Sequence, residues 1–475
     1  MESLRTYLAL VDPSLLANLK GVVGQFIAIF QSENFISEEV FIARICGEKH
    51  KRQYYFDVKI RVLEALQSLL LISTVQGQNS YQKKFEQCQK KFLIAKKILD
   101  AKHPEEGIRI VKTTYKTAIE YDFTHLACEL ASLIHHYYVY HRPSKTKELA
   151  YADKVDLHLR DYVAEKEIRR YFFRLIRQLD STKVSTEYIG RTLQKVQLID
   201  GNSLKCRVYK ASIAVLYFLR IQDYESLRNT CQKMIIFFQT RVGVTKGQQF
   251  TYRFYLLTVN IAERRYTEAQ QVLQSASRFT APKSFNAAFL KLYATILALH
   301  QGKYTQAYAL YKQYRNTKHQ HIAQQFAIIG GYFCYLYYAG HLSTGQRFRL
   351  GKYINETLLS QTDKLGSNIN ILIARLLVYL ARDRGSFIDA VESVQSYAYR
   401  HLRGKDTQRA KRFLKILCLL PRANFNTIAL ERLANRHIQF LKENPVYIRE
   451  NFTIEVIPFD VLLQIILKQL KQKRA

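Results

Sequence analysis

The chain is predicted to be all-α, a right-handed superhelical stack of antiparallel helix pairs, and three observations lead there. One local signature recurs between residues 222 and 390: a helix-ending turn, an aromatic residue, two polar residues and a small residue that opens the next helix. The copies read QDYESL at 222–227, RRYTEA at 264–269, GKYTQA at 302–307, GHLSTG at 340–345 and GSFIDA at 385–390. Aligned on Tyr224, Tyr266, Tyr304, Leu342 and Phe387, they step by 42, 38, 38 and 45 residues. Each step holds two apolar helical stretches, so each unit buries its face against its neighbours. Breakers are scarce, 18 Gly and 7 Pro in 475 residues, which suits long helices and short connections. Neither a βαβ alternation nor a run of short, evenly spaced strands is present.

Residues 1–75 are predicted to form a small helical head. Ser14 is placed to cap a helix through Phe30, with Leu15, Leu16, Leu19, Val22, Val23, Phe26 and Ile27 on one face. Ser37 caps and Gly47 stops a second helix, SEEVFIARICG, and a polar KHKRQ link leads into YYFDVKIRVLEALQSLLLIS. Two short helices joined by a basic link are compatible with a helix-turn-helix or winged-helix module. Three leucines at 69–71 favour instead the first, heavily buried helices of the array.

VQGQNS at 75–80 is the candidate linker. Residues 81–200 form a basic helical region. Phe85, Cys88, Phe92, Ala95 and Leu99 follow 3-4-3-4 spacing and form a seam, while Lys83, Lys90 and Lys97 sit seven apart on another face. Residues 105–140 read as a helical hairpin ended by Pro143. The stretch from Lys145 to Leu179 is one long helix or two. In it Lys166, Arg170, Arg174 and Arg177 are spaced 4, 4 and 3, one cationic face, with Tyr171, Phe172, Leu175 and Ile176 left to pack. Residues 201–445 are the repeat body, which closes with TQRAKRFLKILCLL and NTIALERLANRHIQFLK on either side of a Pro421 turn. In residues 446–475, Pro458 separates a short extended piece from an apolar helix predicted to cap the open end of the stack.

The stretch GKYTQAYALYKQY, with Gly302, Tyr304, Ala307 and Tyr311, resembles the tetratricopeptide turn, in which the second helix of a hairpin starts with a small residue and continues with an aromatic. Tyr266, Ala269, Leu273 and Ala276 fit the same pattern, as do Gly385, Phe387, Ala390 and Val394. The likeness covers residues 205–400. Departures are specific: the chain has no Trp, the closing Pro is missing, and Ala294, Thr295 and Ala298 stand where the first-helix Leu-Gly-Tyr triple belongs. The period also exceeds the usual ~34 residues. The chain is therefore similar to a tetratricopeptide-like α-solenoid with long, divergent units. Its layout also resembles a group of uncharacterised Bacteroidetes proteins. The tetratricopeptide resemblance implies a concave groove, lined mostly by the first helix of each pair, that holds an extended ligand. The carboxylate-clamp residues of its peptide-binding members have no matching positions here.

Charge carries the functional expectation. Lys and Arg number 72 against 39 Asp and Glu, a formal net charge of +33, with +13 in the first 250 residues and +20 in the last 225. A folded body this positive attracts nucleic acid, an acidic protein or an anionic membrane. Between Glu268 and Glu356 lie 87 residues without one Asp or Glu, although a solvated helix ordinarily mixes both signs. In that window Lys303, Lys312, Arg315, Lys318, Arg347, Arg349 and Lys352 alternate with Tyr304, Tyr308, Tyr311, Tyr314 and Tyr353. Cations neutralise phosphates by counterion release, and exposed Tyr stacks on bases. Tyr304, Tyr308 and Tyr311 also fall at helical spacing, which fits a core equally.

Catalytic spacing is missing: there is no HExxH, GxSxG, Walker loop or GxGxxG. His135 and His136 are adjacent and face different sides of a helix, and Glu105 and Glu106 sit at a helix start, where the dipole favours them. No catalytic residue, cofactor or metal is predicted. Seven Cys without a CxxC pair predict buried thiols in a reducing compartment. The opening MESLRTYLALVDPS lacks a secretory layout, and no stretch reaches the roughly 18 apolar residues of a membrane span. The expectation is a cytoplasmic, non-enzymatic protein that engages RNA or DNA backbone without sequence readout, through Lys166–Arg177 and Lys303–Lys352. One alternative is a scaffold gripping an acidic or helical partner in its groove. Another is a transcriptional regulator with the head on DNA.

Overall fold

The computed structural model describes residues 2–11, 13–32, 52–72, 79–179, 184–343, 367–402, 407–448 and 454–472. Every regular element among them is a helix, and consecutive helices pack on one another. The chain divides into two compact units, Met1–Arg160 and Asp161–Ala475.

The first unit holds two apolar cores. Helices α1 (Glu2–Leu10), α2 (Pro13–Leu16), α3 (Gly21–Ser32) and α4 (Arg52–Ile72) build one around Leu4, Phe26, Tyr55, Val62 and Leu66. The single helix expected from Ser14 to Phe30 is broken. Gly21 takes φ 66°, a left-handed value that cannot continue a right-handed helix, and it starts α3 afresh. The predicted SEEVFIARICG helix lies outside the described residues. The second core joins α5 (Ser80–Asp100), α6 (Pro104–Glu120) and α7 (Thr124–Tyr140). Asn79 and Gln82 start α5 with a reciprocal capping box at 2.9 and 3.0 Å. Cys88 and Ala95 are the fully buried members of the predicted seam. The stretch left open as one helix or two is one, α8 (Lys145–Leu179).

In the second unit follow α9 (Thr186–Leu198), α10 (Leu204–Ile221), α11 (Tyr224–Gln239), α12 (Lys246–Ala262), α13 (Tyr266–Ser277), α14 (Phe285–His300), α15 (Tyr304–Tyr314), α16 (Gln320–Tyr338), α17 (Ser367–Arg382), α18 (Arg384–His401), α19 (Gln408–Leu419), α20 (Thr427–Glu443) and α21 (Phe459–Gln472). One continuous core runs from Leu204 to Leu470.

The recurring signature is a recurring backbone turn. Gln222, Arg264, Gly302 and Gly340 take φ of 61°, 61°, 71° and 75°. The amide of the following residue then reaches back to a carbonyl five positions earlier: Asp223 to Phe218, Arg265 to Asn260, Lys303 to Ala298 and His341 to Leu336, at 2.8–3.0 Å. This left-handed C-terminal cap satisfies carbonyls the helix leaves open and reverses the chain tightly. The copy at 385–390 differs. Gly385 and Ser386 lie in the first turn of α18, where Asp383 caps both amides at 3.1 and 3.0 Å.

Burial is unequal within the pairs. Eleven of 17 residues are buried in α12, 9 of 16 in α14 and 11 of 19 in α16, whereas α13 buries only Ala269 and Ala276 and α15 only Ala307 and Tyr311. Each first helix is thus covered on more than one side. Part of that cover comes from its neighbours, because α12 packs on α14 and α14 on α16.

Candidate functional site

On α8, Ala164, Ile168 and Leu175 are buried against α9 and α10, while Lys166, Arg170, Arg174 and Arg177 are all exposed. None of the four forms an ion pair with a carboxylate among the described residues. Glu165, beside them in sequence, does not offset the stripe. It is 6 % exposed and turned inward, accepting from the Ser203 hydroxyl at 2.7 Å. Lys166 lies 5.1 Å from the Tyr162 ring centroid and Arg170 5.9 Å from that of Tyr171.

The second predicted group stands on a different apolar core. Lys303, Lys312, Arg315 and Lys318 are exposed on and around α15, and no described contact joins them to the α8 face. Arg347, Arg349 and Lys352 lie outside the described residues. Tyr353 does too, whereas Tyr304, Tyr308, Tyr311 and Tyr314 are engaged within the chain. Tyr311 is buried; Tyr304, Tyr308 and Tyr314 pack half-buried against the core. Lys312 covers Tyr308 at 5.1 Å, Arg315 covers Tyr311 at 5.7 Å and Lys291 covers Tyr314 at 4.4 Å. Stacking platforms for bases are therefore not what these rings form.

The structure brings together a set of residues that the sequence did not single out. Arg409, at the start of α19, is 1 % exposed. Its Nε donates to Glu455 Oε1 at 2.6 Å, and its Nη2 to Glu455 Oε2 at 3.1 Å and Asp460 Oδ1 at 3.3 Å. Nη1 donates to the carbonyls of Leu441, at 2.6 Å, and Asn444. Asp460 also takes a two-pronged contact from Arg264, at 2.7 and 2.6 Å. His300 Nε2 donates to the Glu455 carbonyl at 2.7 Å, and its Nδ1 is buried without a partner. Burial pushes the His300 pKa down to about 4, keeping the ring neutral.

These contacts define where the C-terminal segment lies. Tyr224 Oη donates to the Val446 carbonyl at 3.0 Å and accepts from the Ile448 amide at 2.9 Å. Tyr335 Oη meets Gln469 Oε1 at 3.4 Å, and Phe459 stacks on Phe413 at 4.7 Å. Ile454 and Val456 face Leu292, Ile296 and Ile329 of the first helices. The C-terminal segment, predicted to cap the open end of the stack, meets α11, α14 and α16 as well as α19 and α20. The reason is chemical. The last 225 residues contain few acids, and two of them, Glu455 and Asp460, sit in an apolar stretch that must enter the interior with cations to meet them. That scarcity was the only signal in the sequence.

The buried cysteines are unreactive thiols: burial pushes Cys206 to about 11 and Cys334 to about 12. No described helix is long and apolar enough to cross a membrane. Compared with protein-family models and with curated proteins, the chain matches none.

Proposed function

We propose that the chain is a non-enzymatic binding protein of tetratricopeptide-like build whose basic surface engages nucleic-acid backbone without reading sequence. The α8 face carries this reading: four exposed cations along three helical turns, none paired among the described residues, with the adjacent Glu165 withdrawn into the interior. From Lys166 to Arg177 the helix rises roughly 16 Å. A duplex presents one phosphate charge per ~1.7 Å of axis, so the face meets more anions than it has cations. The cations above α15 extend the same chemistry. Because the tyrosines beside them pack internally, the contact is made to phosphates and not to bases. The left-handed turns at steps of 42, 38 and 38 residues and the buried Ala269 and Ala307 behind them support the tetratricopeptide-like assignment. The groove-binding alternative is disfavoured, since the chain's own segment already covers faces of α14 and α16.

Filter binding of the full chain to RNA and DNA across a salt series tests this. Binding at low salt is expected to weaken steeply as salt rises. Replacing Lys166, Arg170, Arg174 and Arg177 together by Gln is expected to flatten the log–log salt slope by about 3. Absence of binding at low salt, or affinity indifferent to salt, overturns the reading.

A further inference from the structure

A cavity of about 680 Å³ opens between α18, α19 and α20, and none of the cations singled out in the sequence lines it. Lys411 and Lys415, one turn apart on α19, line it together with Arg422, which follows that helix, and His437 of α20. No carboxylate is among its lining residues, and none of these three cations makes an ion pair among the described residues. Arg412 donates to His437 Nδ1 at 3.1 Å. A guanidinium can only donate, so Nδ1 accepts and the ring proton sits on Nε2. Burial, then Arg412, Lys415 and Arg436, hold the His437 pKa down, so the neutral ring keeps that one N–H donor. Three cationic side chains thus line a concavity that has no acid among its lining residues.

The remaining wall is mixed: Gln395 and Ser396 are polar, and the rest is apolar. Leu414 and Ala398 line it, and Tyr399, 75 % exposed, stands at its rim. Small-molecule sites occupy about 300–1,000 Å³ and combine an apolar wall with a few convergent polar groups. A bare inorganic anion would satisfy the cations and leave the apolar wall facing water. A ligand that satisfies both carries a phosphate at one end and a flat, weakly polar body at the other.

The geometry points to a second binding site: this cavity takes a phosphorylated nucleoside, its phosphate on Lys411, Lys415 and Arg422 and its base against Tyr399 and Leu414. A free nucleotide and the phosphorylated end of a strand present the same chemistry. The inference does not rest on the α8 face, none of whose four cations lines this cavity.

Isothermal titration of the full chain tests it with nucleoside monophosphates, the uncharged nucleosides and inorganic phosphate. The monophosphate is expected to bind at least about 10-fold tighter than nucleoside or phosphate alone. Lys415→Gln and Arg422→Gln are each expected to weaken it about 10-fold, the loss of one charge-assisted hydrogen bond, without shifting thermal unfolding. Tyr399→Ala is expected to weaken the nucleotide and leave phosphate unchanged. Two further arms use oligonucleotides with and without a 5′-phosphate, on the variant lacking the four α8 cations. A 5′-phosphate that strengthens binding assigns the site to strand ends; mononucleotide binding with no such effect assigns it to a free ligand. Monophosphate no tighter than phosphate, no binding in any arm, or binding that survives the Lys415 and Arg422 substitutions overturns the proposal.

Discussion

Arg409 offers five N–H donors, and five acceptors converge on it: three from Glu455 and Asp460 and two from backbone carbonyls. A buried ion pair adds little net stability over well-packed apolar residues, but removing one partner strands a charge and is costly. Its consequence here is positional, since only one placement of the C-terminal segment satisfies every donor. His300 belongs to the same centre, and its titration is measurable. Its value in the folded chain, about 4, lies below the 6.5 of an exposed histidine, so the unfolded chain binds the proton first. The stability tied to the neutral ring is complete above pH 6.5 and is lost as pH falls through that window toward 4, by up to about 3 kcal/mol. Urea unfolding at several pH values is expected to show this slope in the native protein and a shallower one in His300→Gln. Identical slopes would refute the assignment. Apart from the scarcity of acids, none of this was legible in the sequence. Arg409 lies 46 residues from Glu455, and neither residue belongs to a periodic pattern.

The repeating turn was legible because it is local. Gly302 and Gly340 advertise a left-handed residue, and the aromatic–polar–small run after Gly302 marks the start of a helix. Gln222 and Arg264 hold the same conformation without glycine, so their left-handed φ had to be inferred from alignment with the others. The copy at Gly385 misled for the converse reason: a glycine there serves a helix start capped by Asp383, not a helix end. Space around Gly302 is open, with nothing within 4 Å of where a Cβ would stand. Gly302→Ala therefore meets no clash and isolates the cost of the backbone conformation, expected at about 1–2 kcal/mol in chemical denaturation. An unchanged midpoint would mean that the turn relaxes to another form. The break at Gly21 was missed because the apolar face from Leu15 to Ile27 reads straight through it, and hydrophobic spacing cannot register a φ.

The fold class followed from composition and period, while the covering of the first helices did not. Near-continuous apolarity in α12, α14 and α16 states that they are buried, yet not by what. Deleting residues 445–475 tests how much of that burial the C-terminal segment supplies. The shortened chain is expected to bind a fluorescent apolar dye and to unfold at lower temperature, because the faces of α14 and α16 open and Arg409 loses both carboxylates. A deletion variant that melts like the native protein would refute this. Likewise, the charge excess was plain from counting, whereas which cations lie unpaired depended on where Glu165 turned. During synthesis, Asp460 emerges 196 residues after the Arg264 that holds it. At cellular elongation rates of about 5–20 residues per second, the nascent helices wait roughly 10–40 s with that face bare. Chaperone occupancy on the ribosome should therefore be heaviest over this interval and should fall once the segment bearing Glu455 and Asp460 has cleared the exit tunnel.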